Sequence, residues 1–405
     1  MEGKKFNGQR LREALQFRGL KMSDLSRATE ISRQSLSLYA NGENTPPFEN
    51  VEKIARQLEF PVDFFMAEDL CTTVTSNTYF RSQAAARKKE QNAQKIKLEY
   101  TAKMYEIFLN YVDFPALNLP SLFEFRNDVP DPEMKTDTEI AEDIEKLAER
   151  VRTEWGLGNG PIEDMQYLLA SHGIIVTGFN NVSSSIDAFS QKVEVEGHGT
   201  VFIVALAIGD KPMTRLRFDM AHELGHILMH NWDDSNEELE KEEFNNLERQ
   251  ANRFASALLL PRESFSRDVR AYATNVEFYR LLKKKWNVSM QAMMYRARDL
   301  EIISGNQYSY MMRTISAKGE RMHERGDIPG TLSNTIFQGA VDVLFDGGYL
   351  TAAGLIKAFH DNGICLSQKD MEDLLGLRAG TLNVGTNVIQ FTPKVNVKLK
   401  TNCGG

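Results

Sequence analysis

The sequence predicts a multidomain chain, mainly α, with an all-α bundle at its amino terminus, an α+β unit in its middle and a helical carboxy-terminal region ending in a hairpin. Three observations carry this reading. Apolar residues recur at helical spacing in short, turn-divided runs over residues 1–68; three strand-like segments interrupt helical patterns between residues 174 and 208; and helical spacing then resumes. At 405 residues, with 42% hydrophobic and 26% charged residues, the chain has room for about two to four domains. That composition excludes a disordered, collagenous or coiled-coil protein.

In residues 1–68, Leu11, Ala14 and Leu15, then Leu25 and Ala28, then Leu36, Tyr39 and Ala40 mark the inner faces of five short helices. Residues 69–137 read as a helical connector. Its run RSQAAARKKEQNAQKIK (81–97), six basic residues against one acid, reads as a solvated helix face; the helical pattern continues to Tyr111, before the proline-bearing stretch Phe114–Pro120. The break DVPDPEMKTD (128–137) opens the third region, 138–300. There Ile140, Ile144, Leu147 and Val151 predict one helix, and Met165, Leu168 and Leu169 another, entered at Gly160-Pro161 and ended by Gly173. Strands are expected at IIVT (174–177), IDAFS (186–190) and TVFIVALAI (200–208), followed by helix MAHELGHILMH, an acidic segment and a long helix ending at Pro261. Residues 262–300 also read as helical. In the last region, 301–405, short helices divided by Gly347-Gly348 and Gly363 are expected over 331–376, part of which (345–377) loosely resembles a helix-turn-helix, and TLNVGTNVIQFTPKVNVKLK predicts a terminal hairpin.

A net charge of −8 argues against a chain that coats nucleic acid, although not against a local basic face. No apolar run approaches the roughly 18 residues of a membrane span, and MEGKKFNGQR lacks a signal-peptide core, so a cytoplasmic location and no membrane partner are expected. Cys71, Cys365 and Cys403 lie far apart without C-x-x-C spacing. Any metal must therefore be held by His and carboxylates.

His222-Glu223-Leu224-Gly225-His226 has that capacity. Helix positions four apart differ by about 40° and one turn of rise, so both imidazoles reach one zinc ion, and the intervening Glu can accept a proton from zinc-activated water. His230 is a tempting third ligand, but on a continuous helix it lies about 12 Å along the axis from His222. A carboxylate from the next helix is the better choice. In LERQANRFASALLLP (247–261) Glu248 lies in line with Ala251 and Ala255 on the packed edge; Glu237, Glu238, Glu240, Glu242 and Glu243 are alternatives in a run that reads as solvated.

RLRFDMAHELGHILMH followed by LERQANRFASALLLP resembles the ImmA/IrrE family of zinc metallopeptidases, over about residues 138–300, with WNVSMQAMMYRARDL (286–300) similar to the family's following helix. The resemblance implies a Zn2+ cofactor held by His222, His226 and Glu248, with Glu223 as general base and Arg217 and Asn252 in supporting roles. It leaves the oxyanion donor open among His172, His198, Arg215, Arg217 and Tyr295. Residues 9–65 resemble the Cro/C1-type (Xre) helix-turn-helix domain, with Met22–Ala28 as first helix, a turn through Thr29–Ile31 and Ser32–Tyr39 as recognition helix. Arg33, Gln34, Ser35 and Ser37 face outward as candidate base readers, and Asn41 and Asn44 as phosphate contacts. Residues 1–60 hold ten basic and eight acidic side chains, so nonspecific attraction to DNA is modest and dimerisation would help.

These readings together imply a transcriptional regulator that binds a double-stranded DNA operator, commonly as a homodimer. Its zinc endopeptidase would cleave a repressor or other regulatory protein, or the chain itself between head and peptidase, in phage, mobile-element, stress or defence control. The competing class is a non-proteolytic repressor or antitoxin-like protein whose zinc domain senses a ligand or partner.

Overall fold

The computed structural model describes residues 5–80, 88–120, 136–179, 188–232, 240–332 and 335–384. Residues 81–87 of the basic run, 128–135 of the proline break, Ile186-Asp187, Glu237, Glu238 and the terminal hairpin from residue 385 onward lie outside them.

The head comprises α1 (Gly8–Phe17), α2 (Met22–Thr29), α3 (Arg33–Ala40), α4 (Phe48–Leu58) and a 3-10 helix, Val62–Met66. Side chains of Asn7 and Ser32 cap α1 and α3, satisfying amides at Gln9 and Ser35. The expected inner residues are buried except Ala28, which is exposed; Thr29 takes its place, its hydroxyl donating to Leu25 O at 2.8 Å. The connector departs from the helical reading. It opens with a strand, β1 (Val74–Phe80), before α5 (Lys88–Phe108). The run VTSNTYF carries the β-branched and aromatic residues that favour an extended chain.

Then follow α6 (Asp137–Glu154), α7 (Met165–Ser171), β2 (Ile174–Phe179), β3 (Ala188–Val195), β4 (Gly199–Ala207), α8 (Met213–Met229) and α9 (Lys241–Leu259). Thr136 and Glu139 close a reciprocal capping box at the start of α6. The remaining described helices are α10 (Arg262–Val269), α11 (Val276–Trp286), α12 (Met290–Asp299), α13 (Gly305–Ala317), α14 (Ile336–Asp346), α15 (Ala352–Asp361) and α16 (Gln368–Leu375). The second strand runs further than IDAFS because KVEV (192–195) alternates polar and apolar residues across two differently covered faces.

The four strands form one sheet in the order β1-β3-β4-β2. β2 and β4 run parallel, while β3 is antiparallel to both β4 and β1. TVFIVALAI is apolar throughout because the sheet is covered on both sides: Val201, Ile203 and Ala205 enter one core, and Phe202, Val204 and Leu206 the other. The first core gathers the head, α5, one sheet face and residues 337–382; the second gathers α6 to α13 against the opposite face. Head and connector are thus packed against carboxy-terminal helices from which the whole middle region separates them in the chain. Arg10, 2% exposed, donates to the Tyr100 hydroxyl at 2.6 Å and to Gly363 O at 2.9 Å, and Arg18 grips Asp370 through two bonds of 2.7 Å. Gly363 permits this approach: at φ +83°, a Cβ there would lie 1.9 Å from Glu68 O.

Candidate metal centre and nucleic-acid interface

Helix α8 carries His222, Glu223 and His226 at 0%, 1% and 2% exposure. It crosses α9 at two small residues. A Cβ on Gly225 would sit 3.0 Å from Phe254 Cδ1 and 3.3 Å from Ala251 Cα, so any larger residue would push the helices apart. This close approach delivers Glu248, one turn before Ala251, to the histidine pair. His222 Nε2 and His226 Nε2 are 3.0 Å apart; Glu248 Oε2 lies 3.5 Å from the first and Glu248 Oε1 3.2 Å from the second. Ligand bonds of about 2.0–2.2 Å at tetrahedral angles place ligand atoms about 3.3–3.5 Å apart, so the three side chains are close enough to share a single small cation. Among the described residues they form the group able to hold a metal.

The surrounding hydrogen bonds fix both rings in the required tautomer. Asn252 Nδ2 donates to Glu248 O at 2.8 Å, which leaves Oδ1 to accept from His222 Nδ1 at 3.2 Å. His226 Nδ1 meets His230 Nδ1 at 2.7 Å, and His230 Nε2 reaches Gln250 Oε1 at 3.4 Å. Gln250 Oε1 can only accept, so His230 carries its proton on Nε2 and receives the His226 proton at Nδ1. Burial, with His226 beside it, pushes the His230 pKa well below its usual value and keeps the ring neutral for this task. Each ligand histidine therefore holds its proton on Nδ1 and offers Nε2 to a metal. His230, at the carboxy-terminal cap of α8, lies one turn beyond His226 with its ring 4.7 Å away, and it is hydrogen-bonded there rather than grouped with the metal-ligating atoms. Asn252→Ala is expected to weaken metal binding about 10–100-fold without unfolding the chain, measured by competition with a chelating dye.

Glu223 is held from the sheet. Ser190 Oγ, on β3 and fully buried, donates to Glu223 Oε2 at 2.6 Å. Sequence reading missed this serine; a hydroxyl in an otherwise apolar strand position was the available signal. Glu240, Glu242 and Glu243 are exposed at the start of α9 and outside the centre.

The oxyanion candidates separate. His172 is stacked on Trp155, its Nδ1 2.8 Å from Leu168 O, and His198 is exposed in the β3–β4 turn. Arg217 donates to Glu163 O and Ile162 O, and burial lowers its pKa; it ties α8 to the segment before α7. Arg215 and Tyr295 line a cavity of about 840 Å³ together with Asn252.

In the head, Arg33, Gln34 and Ser37 are exposed on α3 and Leu36 is buried, as the recognition-helix reading requires. Ser35 is half-buried with its hydroxyl 2.8 Å from that of Ser32. Asn41 is held by Arg12 and Glu43, whereas Asn44 is exposed.

Residues 202–298 match the peptidase M78 family, described as the IrrE N-terminal-like domain, and residues 11–65 match the helix-turn-helix family. The chain therefore joins a helix-turn-helix of the DNA-binding, transcription-regulating kind to an ImmA/IrrE-like metallopeptidase domain. No curated protein matches the chain. No described helix is long and apolar enough to cross a membrane.

Proposed function

We propose that the chain is a cytoplasmic DNA-binding regulator whose middle domain is a zinc endopeptidase acting on a regulatory protein. The observation that carries the peptidase reading is the His222, His226 and Glu248 triad, spaced for one ion, with Glu223 held beside it by Ser190. Two nitrogens and one carboxylate are the donor set of a catalytic zinc that keeps a position open. When bound, zinc supplies Lewis acidity that polarises a peptide carbonyl and makes water acidic near neutral pH. Glu223 takes the proton from the attacking water and hands it to the leaving amine. Arg215 or Tyr295 steadies the carbonyl oxygen from the cavity side.

On the DNA side, Arg33 and Gln34 stand at the amino-terminal end of α3, where side chains of a recognition helix meet base edges; Ser37 follows on the exposed face, and Ser35 contributes mainly to the cap. A homodimer on two half-sites would offset the low net charge of the head. The substrate is either a separate repressor or this chain. The packing weighs against release of the head by a cut in the connector alone, because Arg10 and Arg18 would still hold it to Gly363 and Asp370.

The purified chain is expected to hold about one zinc and to hydrolyse an unfolded protein substrate, with activity lost to a chelator and restored by zinc. A chain that takes up no zinc sinks the reading. In a selection from random duplexes, Arg33→Ala and Gln34→Ala are each expected to weaken binding to the selected site by about 1–3 kcal/mol, read by titration at fixed salt.

A further inference from the structure

We propose that β1 is an internal strand occupying the edge of β3 where an extended segment of the target protein must pair, so that the peptidase site is closed until β1 is displaced. The proposal rests on the peptidase reading above. Strand β3 touches Glu223 through Ser190. A polypeptide can add to a sheet only at a vacant strand edge. One edge of β3 is taken by β4 from Val195 back to Ala188, and the other by β1. In the β1 register Tyr79 pairs with Ser190 and Phe80 with Phe189. The β1 backbone thus passes one strand spacing, about 4.8 Å, from the residue that holds the general base. A substrate whose carbonyl is to reach Glu223 along β3 needs that same track.

Two features mark β1 as an insert that can leave. It comes from the segment after the head, far in the chain from the strand it pairs with, and its pairing with β3 is irregular between Thr75 and Thr78. The two residues before it are also tied to the head side of the molecule. Thr72 donates to Glu106 through its amide at 3.1 Å and its hydroxyl at 2.9 Å, and the Thr73 amide does so at 3.0 Å. Glu106 lies on α5, whose Tyr100 is bonded to Arg10 of α1. A shift of the head on DNA can therefore pull on β1 through α5.

The test reads binding separately from cleavage. A fluorescent peptide of residues 72–82, TTVTSNTYFRS, is titrated by anisotropy against the full chain carrying Glu223→Gln, with β1 intact or broken by Thr78→Pro and Tyr79→Pro. Adjacent prolines remove a ladder donor whichever residue faces β3. The peptide is expected to bind the broken-strand chain about tenfold or more tightly than the intact one. Equal affinity for both, or no binding to either, overturns the proposal.

A second pair of variants, Thr78→Cys with Gln191→Cys at a paired register position, locks β1 in place and leaves the Ser190 contact untouched. Burial pushes the nearby Cys71 thiol up to about 12, so it competes little for the new disulfide. The locked chain is expected to bind no peptide until a reductant is added; binding that ignores the lock overturns the proposal. If peptide binds the broken-strand chain but a version with Glu223 hydrolyses nothing, the edge site stands and the peptidase reading falls.

Discussion

Glu223→Gln is expected to lower peptide hydrolysis by about 10²–10⁴-fold while zinc content stays at one per chain. The amide is isosteric with the carboxylate, and its oxygen can still accept the Ser190 hydroxyl now bonded to Glu223 Oε2 at 2.6 Å. What it cannot do is take a proton from water. Turnover and metal content are measured on the same sample, because a loss of both would reflect misfolding rather than chemistry. The variant also separates the two functional classes. The two ligand histidines are nearly fully buried, as a sensing centre would have them too. If release from DNA survives Glu223→Gln but is abolished by His222→Ala, metal-dependent sensing replaces proteolysis as the function.

The parts of this site that sequence made legible are those fixed by helix geometry alone. His222, Glu223 and His226 lie within five consecutive positions, and the stripe of α9 made Glu248 the better of several carboxylates, which the family resemblance then singled out. Helix spacing alone sets His230 aside, and it stands one turn beyond His226, bonded to that ring. Ser190 and β1 were not legible in this way. Each acts through a sheet partner distant in the chain, and strand pairing has no fixed sequence offset. Gly225 could have been read: a glycine inside a helix costs about 1 kcal/mol unless a neighbour comes close, and Ala251 in the facing helix is that neighbour. The same limit applies to the fold at large. The order of helices and three of the strands was readable, whereas the packing of residues 337–382 against the head depends on contacts such as Arg18 with Asp370, more than 350 positions apart.

Glu145→Ala is expected to destabilise the chain by about 3–5 kcal/mol, read as a lower urea midpoint. Arg296 on α12 is 0% exposed and Glu145 on α6 is its carboxylate partner, joined by two hydrogen bonds, one of 2.8 Å, while Arg296 Nε donates to Leu260 O at 3.1 Å. Removing Glu145 would strand a charge that cannot titrate away, with Asp299 3.7 Å off and Arg262 on the same side as a second positive group. The pair also fixes α6 and α12 at the residue that ends α9, the helix carrying Glu248. Replacing both partners by apolar residues, Glu145→Leu with Arg296→Met, should recover most of the loss, since the desolvation cost of two ions disappears with them. Zinc stabilises the native chain by mass action, and this increment should be nearly the same in Glu145→Ala as in the wild type if the centre keeps its shape. In Asn252→Ala the increment itself should shrink, because the lost contact steadies His222 rather than the fold. An increment that collapses in Glu145→Ala as well would mean that the ion pair sets the ligand geometry and not only the stability around it.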